Sequence, residues 1–499
     1  MSERRRVTWQ ALVGALLIMV LTACETGRPP VPPPSATEVP RAFTVGTTDA
    51  ITATDPAAIT DAASSTVAYN VFQRLTTVAP DSQAAKVDAA RECKFDAPTV
   101  YVCTLLEGLV FHNGHALTSS DVQFSIERAL RLDVAGTSTS LLSSLRRIET
   151  PDPLTVRFIL SRVDTQFVWG LASPAASIVD EELYDPDAIR PVGESIIGSG
   201  PFRVSFHDPE QLQLARNPTY KGRSGAGVDG LVLRHFATSA ELESAMLEHD
   251  VDVVWRGLGA AAVTRLQRQV EASDQDLTET GFAQVVLPGA RVHQLMWRPE
   301  SPNRQNEALR KVVAFALQED RISESLLPDG IPGRVPTFPV GVTGATPSPS
   351  PQRIQLSLAY DPTAPDAADR ANQLRSRLEN TGLSVRLVQA TPARTAEADL
   401  LLLDRKAWTS AAIAWLQPYL DDPVQPGPVT TELNKVRSSA DPAVVDPALA
   451  AIQEYAAEDL VVLPMTQTDE VVFVAQGWLM DPTLLAPGHQ LALWGLRRA

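Results

Sequence analysis

The 499 residues include three cysteines, Cys24, Cys93 and Cys103, and seven histidines. A thiol nucleophile needs a base beside it, and a zinc site needs several Cys, His or acidic ligands at close spacing. No third thiol and no properly spaced histidine pair completes a metal set around Cys93 and Cys103. His112 and His115 stand in a Phe-His-Asn-Gly stretch that reads as a turn, with no third ligand in view, and are read as turn residues. No G-x-S-x-G elbow surrounds Ser195 or Ser199, and H-E-x-x-H is absent. Gly198-Ser199-Gly200-Pro201-Phe202 lacks both the Lys-Ser/Thr and the helix start of a phosphate loop. These residues point away from an enzyme and from a bound metal or cofactor.

The local elements explain what the cysteines do instead. Cys93 and Cys103 flank a turn centred near Pro98, so two strands folding back there bring the sulfurs opposite each other, and a cross-strand disulfide is expected. Asn113-Gly114 marks the next turn. Thr118 and Asp121 then stand at capping-box spacing, and Val122, Ile126 and Leu130 recur every four residues, predicting a helix with one buried face. The alternating run Leu154–Leu160 completes a small α/β subdomain. Further on, a strand at 354–359, a helix with Ala371, Leu374 and Leu378 ended by Gly382, and a strand at 384–388 make a βαβ unit. The apolar run 398–404 reads as a buried strand. A last helix is expected with Asp446 as N-cap and Pro447 at its first position, followed by two strands at 461–465 and 471–475.

Hydrophobic residues make up 44% of the chain and charged residues 20%, an ordinary globular balance with room for two or three lobes. The net charge of −16 excludes nucleic acid as an expected partner. At the N-terminus, Arg4–Arg6 precede an apolar run from Ala11 to Leu21, about half a bilayer span, so residues 1–23 read as a signal peptide. Leu21-Thr22-Ala23-Cys24 resembles a bacterial lipobox, which implies lipidation of Cys24 and an anchor in the cell membrane. Modifying Cys24 leaves one pair, Cys93 and Cys103, for an oxidising compartment. Residues 24–41 are proline-rich and read as an extended tether.

G-L-V-F-H-N-G at 108–114, followed by L-T-S-S-D-V-Q-F-S-I-E-R at 117–128, is similar to the hallmark segment of the family 5 extracellular solute-binding proteins, the peptide and nickel receptors of ABC importers. Gly198–Phe202 resembles the family's G-T-G-P-Y turn, and LARNPTYKG with VDGLVLRHF resembles a later pattern. The resemblance implies an α/β, two-lobed periplasmic-binding-protein-like fold of type II, in the large form with an extra subdomain, with mixed sheets flanked by helices and a cleft between lobes. Lobe I is expected from 42–70, 190–291 and 470–499, the extra subdomain from 71–189, and lobe II from 292–469. Ligand contacts are expected at Thr48, Asp49, Tyr69, Trp297, Lys406 and Trp408. Peptide-binding relatives carry an acidic residue three positions after the tryptophan; here that position is Ala411, with Asp421 or Asp422 as displaced substitutes. The implied function is capture of a small ligand, a peptide foremost, by a monomer that delivers it to an ABC permease. The alternative is a receptor fold turned to a regulatory or scaffold role in envelope assembly.

Overall fold

The computed structural model describes residues 42–499 apart from positions 81, 83, 224, 339–353 and 410. The signal segment, Cys24 and the tether lie outside the described residues. Ten strands hydrogen-bond in one mixed sheet. In order across it they are Ser384–Gln389, Gln355–Tyr360, Leu400–Arg405, Phe282–Trp297, Val462–Ala475, Val253–Val254, Thr44–Thr47, Gly230–His235, Gln211–Arg216 and Phe202–His207.

The two long antiparallel strands, Phe282–Trp297 and Val462–Ala475, carry the sheet from one lobe into the other. Phe282–Leu287 pair with Glu470–Ala475 on the lobe I side, and Arg291–Met296 pair with Val462–Thr468 on the lobe II side. Between them the register breaks, where Pro288 has no N–H to offer and Gly289 has a φ of 57°. The expected pair of strands at 461–465 and 471–475 is therefore one strand. The polar run Thr466–Glu470 interrupts the apolar signal, yet Thr466, Gln467, Thr468 and Glu470 each still face a partner residue.

A second sheet, ordered Ala90–Ala97, Val100–Leu105, Thr155–Leu160, Leu145–Asp152, builds the small subdomain. Cys93 and Cys103 are directly opposite in it and are disulfide-bonded, with Cα atoms 4.1 Å apart. The helix Ser119–Leu132 starts with the expected box: the Thr118 N–H donates to Asp121 Oδ2 at 2.8 Å, and Thr118 Oγ1 accepts from the first turn. Its Val122 and Ile126 are fully buried against Val156 and Phe158, and each such side chain contributes roughly 1.5–3 kcal/mol. From the same helix Arg128 makes a double hydrogen bond to Asp55 at 2.9 and 2.6 Å, pinning the subdomain to lobe I.

The last helix runs Pro442–Asp459 and is capped by Asp441, which accepts from the Ala443 N–H at 2.9 Å. The expected start at Asp446-Pro447 is corrected: the same Asp-Pro signal occurs five residues earlier, and Pro447 sits inside the helix at the cost of one N–H bond.

Gly198 and Gly200 show why the turn at 198–202 takes glycine. The Gly200 N–H donates to Val71 O at 2.8 Å, where the helix Ala62–Val71 ends. A Cβ on Gly198 would meet that same carbonyl oxygen at 2.1 Å. Gly198→Ala is expected to lower stability by about 3 kcal/mol, because backbone rather than a movable side chain must give way. Gly193→Ala, with open space around the position, is the control. Equal urea midpoints for the two variants would refute the close approach.

Candidate functional site

Both lobes send the C-terminal ends of parallel strands toward one place, the usual location of ligands in open α/β sheets. In lobe I, Thr44–Thr47 runs parallel to Val253–Val254, and the residues that follow are Thr48-Asp49 and Trp255-Arg256. In lobe II, Gln355–Tyr360 runs parallel to Ser384–Gln389 and to Leu400–Arg405. Asp361, the loop Thr391–Arg394 and the Asp404–Lys406 turn emerge from those ends. A cavity of about 110 Å³ lies where the two sets meet, with Asp61, the N-cap of the helix Ala62–Val71, also in its wall.

Arg256 organises the floor. Its side chain is 5% exposed and bridges the lobes, with Nε 2.7 Å from Asp49 Oδ2, Nη2 2.9 Å from Asp404 Oδ2 and Nη1 3.2 Å from Glu470 Oε2. Arg291 adds a contact to Asp404 at 3.1 Å, and Lys406 reaches Glu470 at 3.1 Å. Burial alone opposes these charges. For Arg256 the three carboxylates outweigh it and hold the guanidinium above its ordinary range. For Asp404, Arg256 and Arg291 likewise outweigh burial and hold the carboxyl well below the usual range.

His293 borders the same cavity and is 5% exposed. Its Nδ1 lies 2.9 Å from Thr466 Oγ1, which also accepts from Arg370 at 3.1 Å. The Thr466 hydroxyl can donate to Nδ1 or accept from it, and Nε2 lies 3.7 Å from Asp404 Oδ2. Burial, with help from Arg291, Arg370 and Arg256, pushes the imidazole pKa down to about 3.

The lobes also touch directly around the cavity. Thr48 Oγ1 donates to Thr363 O at 2.9 Å, Tyr69 Oη to Trp408 O at 3.0 Å, Gln490 Nε2 to Ala407 O at 2.7 Å, and the Ala260 N–H to Asp366 Oδ2 at 2.9 Å. The cleft is closed in this conformation.

Of the residues singled out from sequence, Asp49, Lys406 and Trp408 line the cavity, as does Asp421, one of the two displaced acidic residues. Thr48 and Tyr69 do not, and serve as the interlobe bonds just described. Trp297 is a correction to the expected contacts: it is 1% exposed in the lobe II core with Leu309 and Val313. It shares a strand face with His293, but four residues of strand, about 13 Å, carry it away from the cavity. Ala411 lies in a separate groove of about 730 Å³ between the disulfide hairpin and the last helix. Sequence reasoning missed Arg256, His293, Asp361, Arg370 and Arg394. Arg256, Asp361 and Arg394 follow strands, whereas His293 lies within Phe282–Trp297 and Arg370 on the helix Ala367–Glu379, so no shared local signal marked them.

Two lobes closing over a cavity lined by charged groups from both define a solute-binding protein. Residues 89–374, more than half the chain, match the bacterial extracellular solute-binding proteins, family 5 Middle, and the chain belongs to that family. It is 31% identical over 178 residues to the probable D,D-dipeptide-binding periplasmic protein DdpA of Escherichia coli K12, covering 34% of each. The chain spans about a third of the length of the curated relatives it matches. Its fold is similar to that of the ABC transporter-associated binding protein DppA from Helicobacter pylori in complex with peptide STSA, with a TM-score of 0.75 at 16% identity over 92% of this chain and 98% of that one. It is also similar to the binding protein AgaA of Agrobacterium tumefaciens R10 in complex with agropinic acid, with a TM-score of 0.73 at 17% identity over the same shares. At these identities the likeness establishes the fold. Among the described residues no helix is long and apolar enough to cross a membrane, and no group of three or more His, Cys, Asp or Glu is placed to hold a metal.

Proposed function

We propose that this chain is a lipid-anchored receptor that captures a compact charged solute, a short peptide foremost, between its lobes and hands it to an ABC permease. The observation that carries the reading is the closed interlobe cavity, whose walls bring Asp49, Asp61 and Arg256 from one lobe against Asp361, Asp404 and Arg394 from the other. Its volume favours small ligands, since the pockets that hold drug-sized molecules measure roughly 300–1,000 Å³. The relative named for D,D-dipeptides supports the same size class. In this reading Cys24 carries the lipid, residues 24–41 form the tether, and the protein works as a monomer. Segments 42–70, 190–291 and 470–499 move as lobe I, with 71–189 attached to it, against 292–469 as lobe II. Ligand contacts that exist only in the closed state shift the lobes together, and the permease recognises that state. The Ala411 exchange, which motivates a scaffold role, faces the groove and gives no reason to prefer it.

A thermal-shift panel of dipeptides, longer peptides and opine-type sugar–amino acid conjugates tests the proposal. A true ligand at 100 times its Kd adds about 2.7 kcal/mol of stability. The expected result is stabilisation by short members and none by long ones. A panel in which no member raises the melting temperature would overturn it.

A further inference from the structure

The groove that holds Ala411 differs in character from the interlobe cavity. Among its described lining residues only Lys94 and Asp446 are charged; both are exposed, they are opposite in sign, and Lys94 Nζ already donates to Glu92 Oε1 at 3.0 Å. Its depth is apolar. Val436 and Leu449, 1% and 2% exposed, come from the helices Pro426–Ser438 and Pro442–Asp459 of lobe II. The subdomain supplies Phe95, Tyr101 and Trp169, and Thr165 ties the two walls together: its N–H donates to Arg437 O at 2.6 Å and its hydroxyl to Ser439 O at 3.0 Å.

Two observations mark the groove as a place for a ligand. Tyr101 is 6% exposed, yet its hydroxyl has no hydrogen-bond partner among the described residues and, unlike that of Tyr184, is not closed off from solvent. Burial pushes this phenol up to about 12, so at neutral pH it is a proton donor whose bond within the fold is unmade. A nearly buried hydroxyl gains from any group that enters and pairs with it. Phe95 is 39% exposed and meets the Tyr101 ring edge-on, with centroids 4.7 Å apart, so an apolar face is left for a further ring to cover.

At about 730 Å³ the groove has the size of a small-molecule pocket, and aromatic and aliphatic walls with few polar groups are the usual lining of one. We infer that it is a second binding site, separate from the interlobe cavity, and takes a neutral aromatic solute bearing one hydrogen-bonding group, with the ring against Phe95 and Trp169 and the polar group on Tyr101 Oη. An ion would lose its water without meeting an unpaired counter-charge in the depth, so charged solutes are turned away. A saturated ring of the same polarity lacks the edge and face contacts that aromatic walls favour. The site stands whether or not the interlobe cavity takes a peptide.

Equilibrium dialysis of the purified full chain against β-naphthol, naphthalene, β-naphthalenesulfonate and the fully saturated decalol tests the assignment. β-Naphthol is expected to bind at least roughly tenfold tighter than the sulfonate or the saturated alcohol. Tyr101→Phe, which keeps the ring, should weaken β-naphthol about fivefold, the worth of one hydrogen bond, and leave naphthalene unchanged. Ala440→Trp, at an exposed position on the groove wall, should abolish binding of both. A Tyr101 role confined to folding would weaken naphthalene equally, and that result overturns the inference. So do failure of β-naphthol to bind, binding that survives Ala440→Trp, and equal binding of the sulfonate or the saturated alcohol. A dimer in light scattering that Ala440→Trp disperses would show a second copy of the chain in the groove and overturn the small-molecule assignment.

Discussion

Replacing Arg256 with leucine is expected to cost about 3–5 kcal/mol, the usual consequence of removing one partner from a buried ion network. The effect follows from how the partners are shared. Asp404 keeps Arg291 and Glu470 keeps Lys406, but Asp49 loses the only cation within ion-pair distance among the described residues. A carboxylate in that wall, without a counter-charge, either stays ionised at high cost or takes a proton. A loss of this size is a large part of the 5–15 kcal/mol that ordinarily separates folded from unfolded protein. Urea unfolding of the wild type, Arg256→Leu, Asp49→Leu and the double variant measures it. The double variant should recover part of the loss, since the stranded charge is removed as well. If Arg256→Leu unfolds at the wild-type midpoint, the network does not hold the lobes. Because Arg256 spans both lobes, the same variant should also open the cleft, read as a larger radius of gyration in solution scattering.

The second large effect is acid sensitivity. His112 and His293 are both kept neutral by the fold. His112 Nε2 lies 3.1 Å from Gly200 O, and its Nδ1 accepts the Gly198 N–H at 3.3 Å, an arrangement that suits neutral imidazole. Burial, with Arg203 adding to it, lowers its pKa to about 4, and burial lowers that of His293 to about 3. The unfolded chain binds protons at both histidines below about pH 6.5, whereas the folded chain does not until pH falls to those depressed values. The stability is therefore complete above about pH 6.5 and is lost as pH falls toward 4 and then 3. Each histidine contributes a slope of up to about 1.4 kcal/mol per pH unit in that window. Together they should cost about 3 kcal/mol between pH 6.5 and pH 5. Carboxylates begin to titrate at the lower end, so the informative measurement is a difference: His112→Gln and His293→Gln should each reduce the pH slope of unfolding free energy by about one proton. Unchanged slopes in both variants would show that neither histidine is held neutral.

The lobe II core shows why a tryptophan near a predicted crossing is a weak sign of a binding site. Period-two alternation gives the face of a side chain but not its depth along the strand. His293 and Trp297 share a face, and one borders the cavity while the other lies in the core. The choice of Asp446 over Asp441 as the helix cap failed for a related reason. Two Asp-Pro pairs five residues apart carry equal local signals, and the helix starts at the earlier one, where Asp441 caps the Ala443 N–H.

What the sequence by itself determined is the set of features built from neighbours in the chain. The Cys93–Cys103 hairpin, the Thr118 cap and the buried face of Val122 and Ile126 all rest on spacings of ten residues or fewer, where backbone geometry leaves few choices. These were enough to indicate the family. The site is different in kind. Asp49, Arg256, Asp361, Arg394 and Asp404 come from strand ends that lie far apart in sequence, and they meet only because two long strands join the lobes and the cleft closes. Their charges have no meaning together until the fold brings both lobes to one cavity and burial lowers the dielectric around them. Which charged groups meet there is decided by tertiary contacts between the lobes and cannot be read from spacing along the chain.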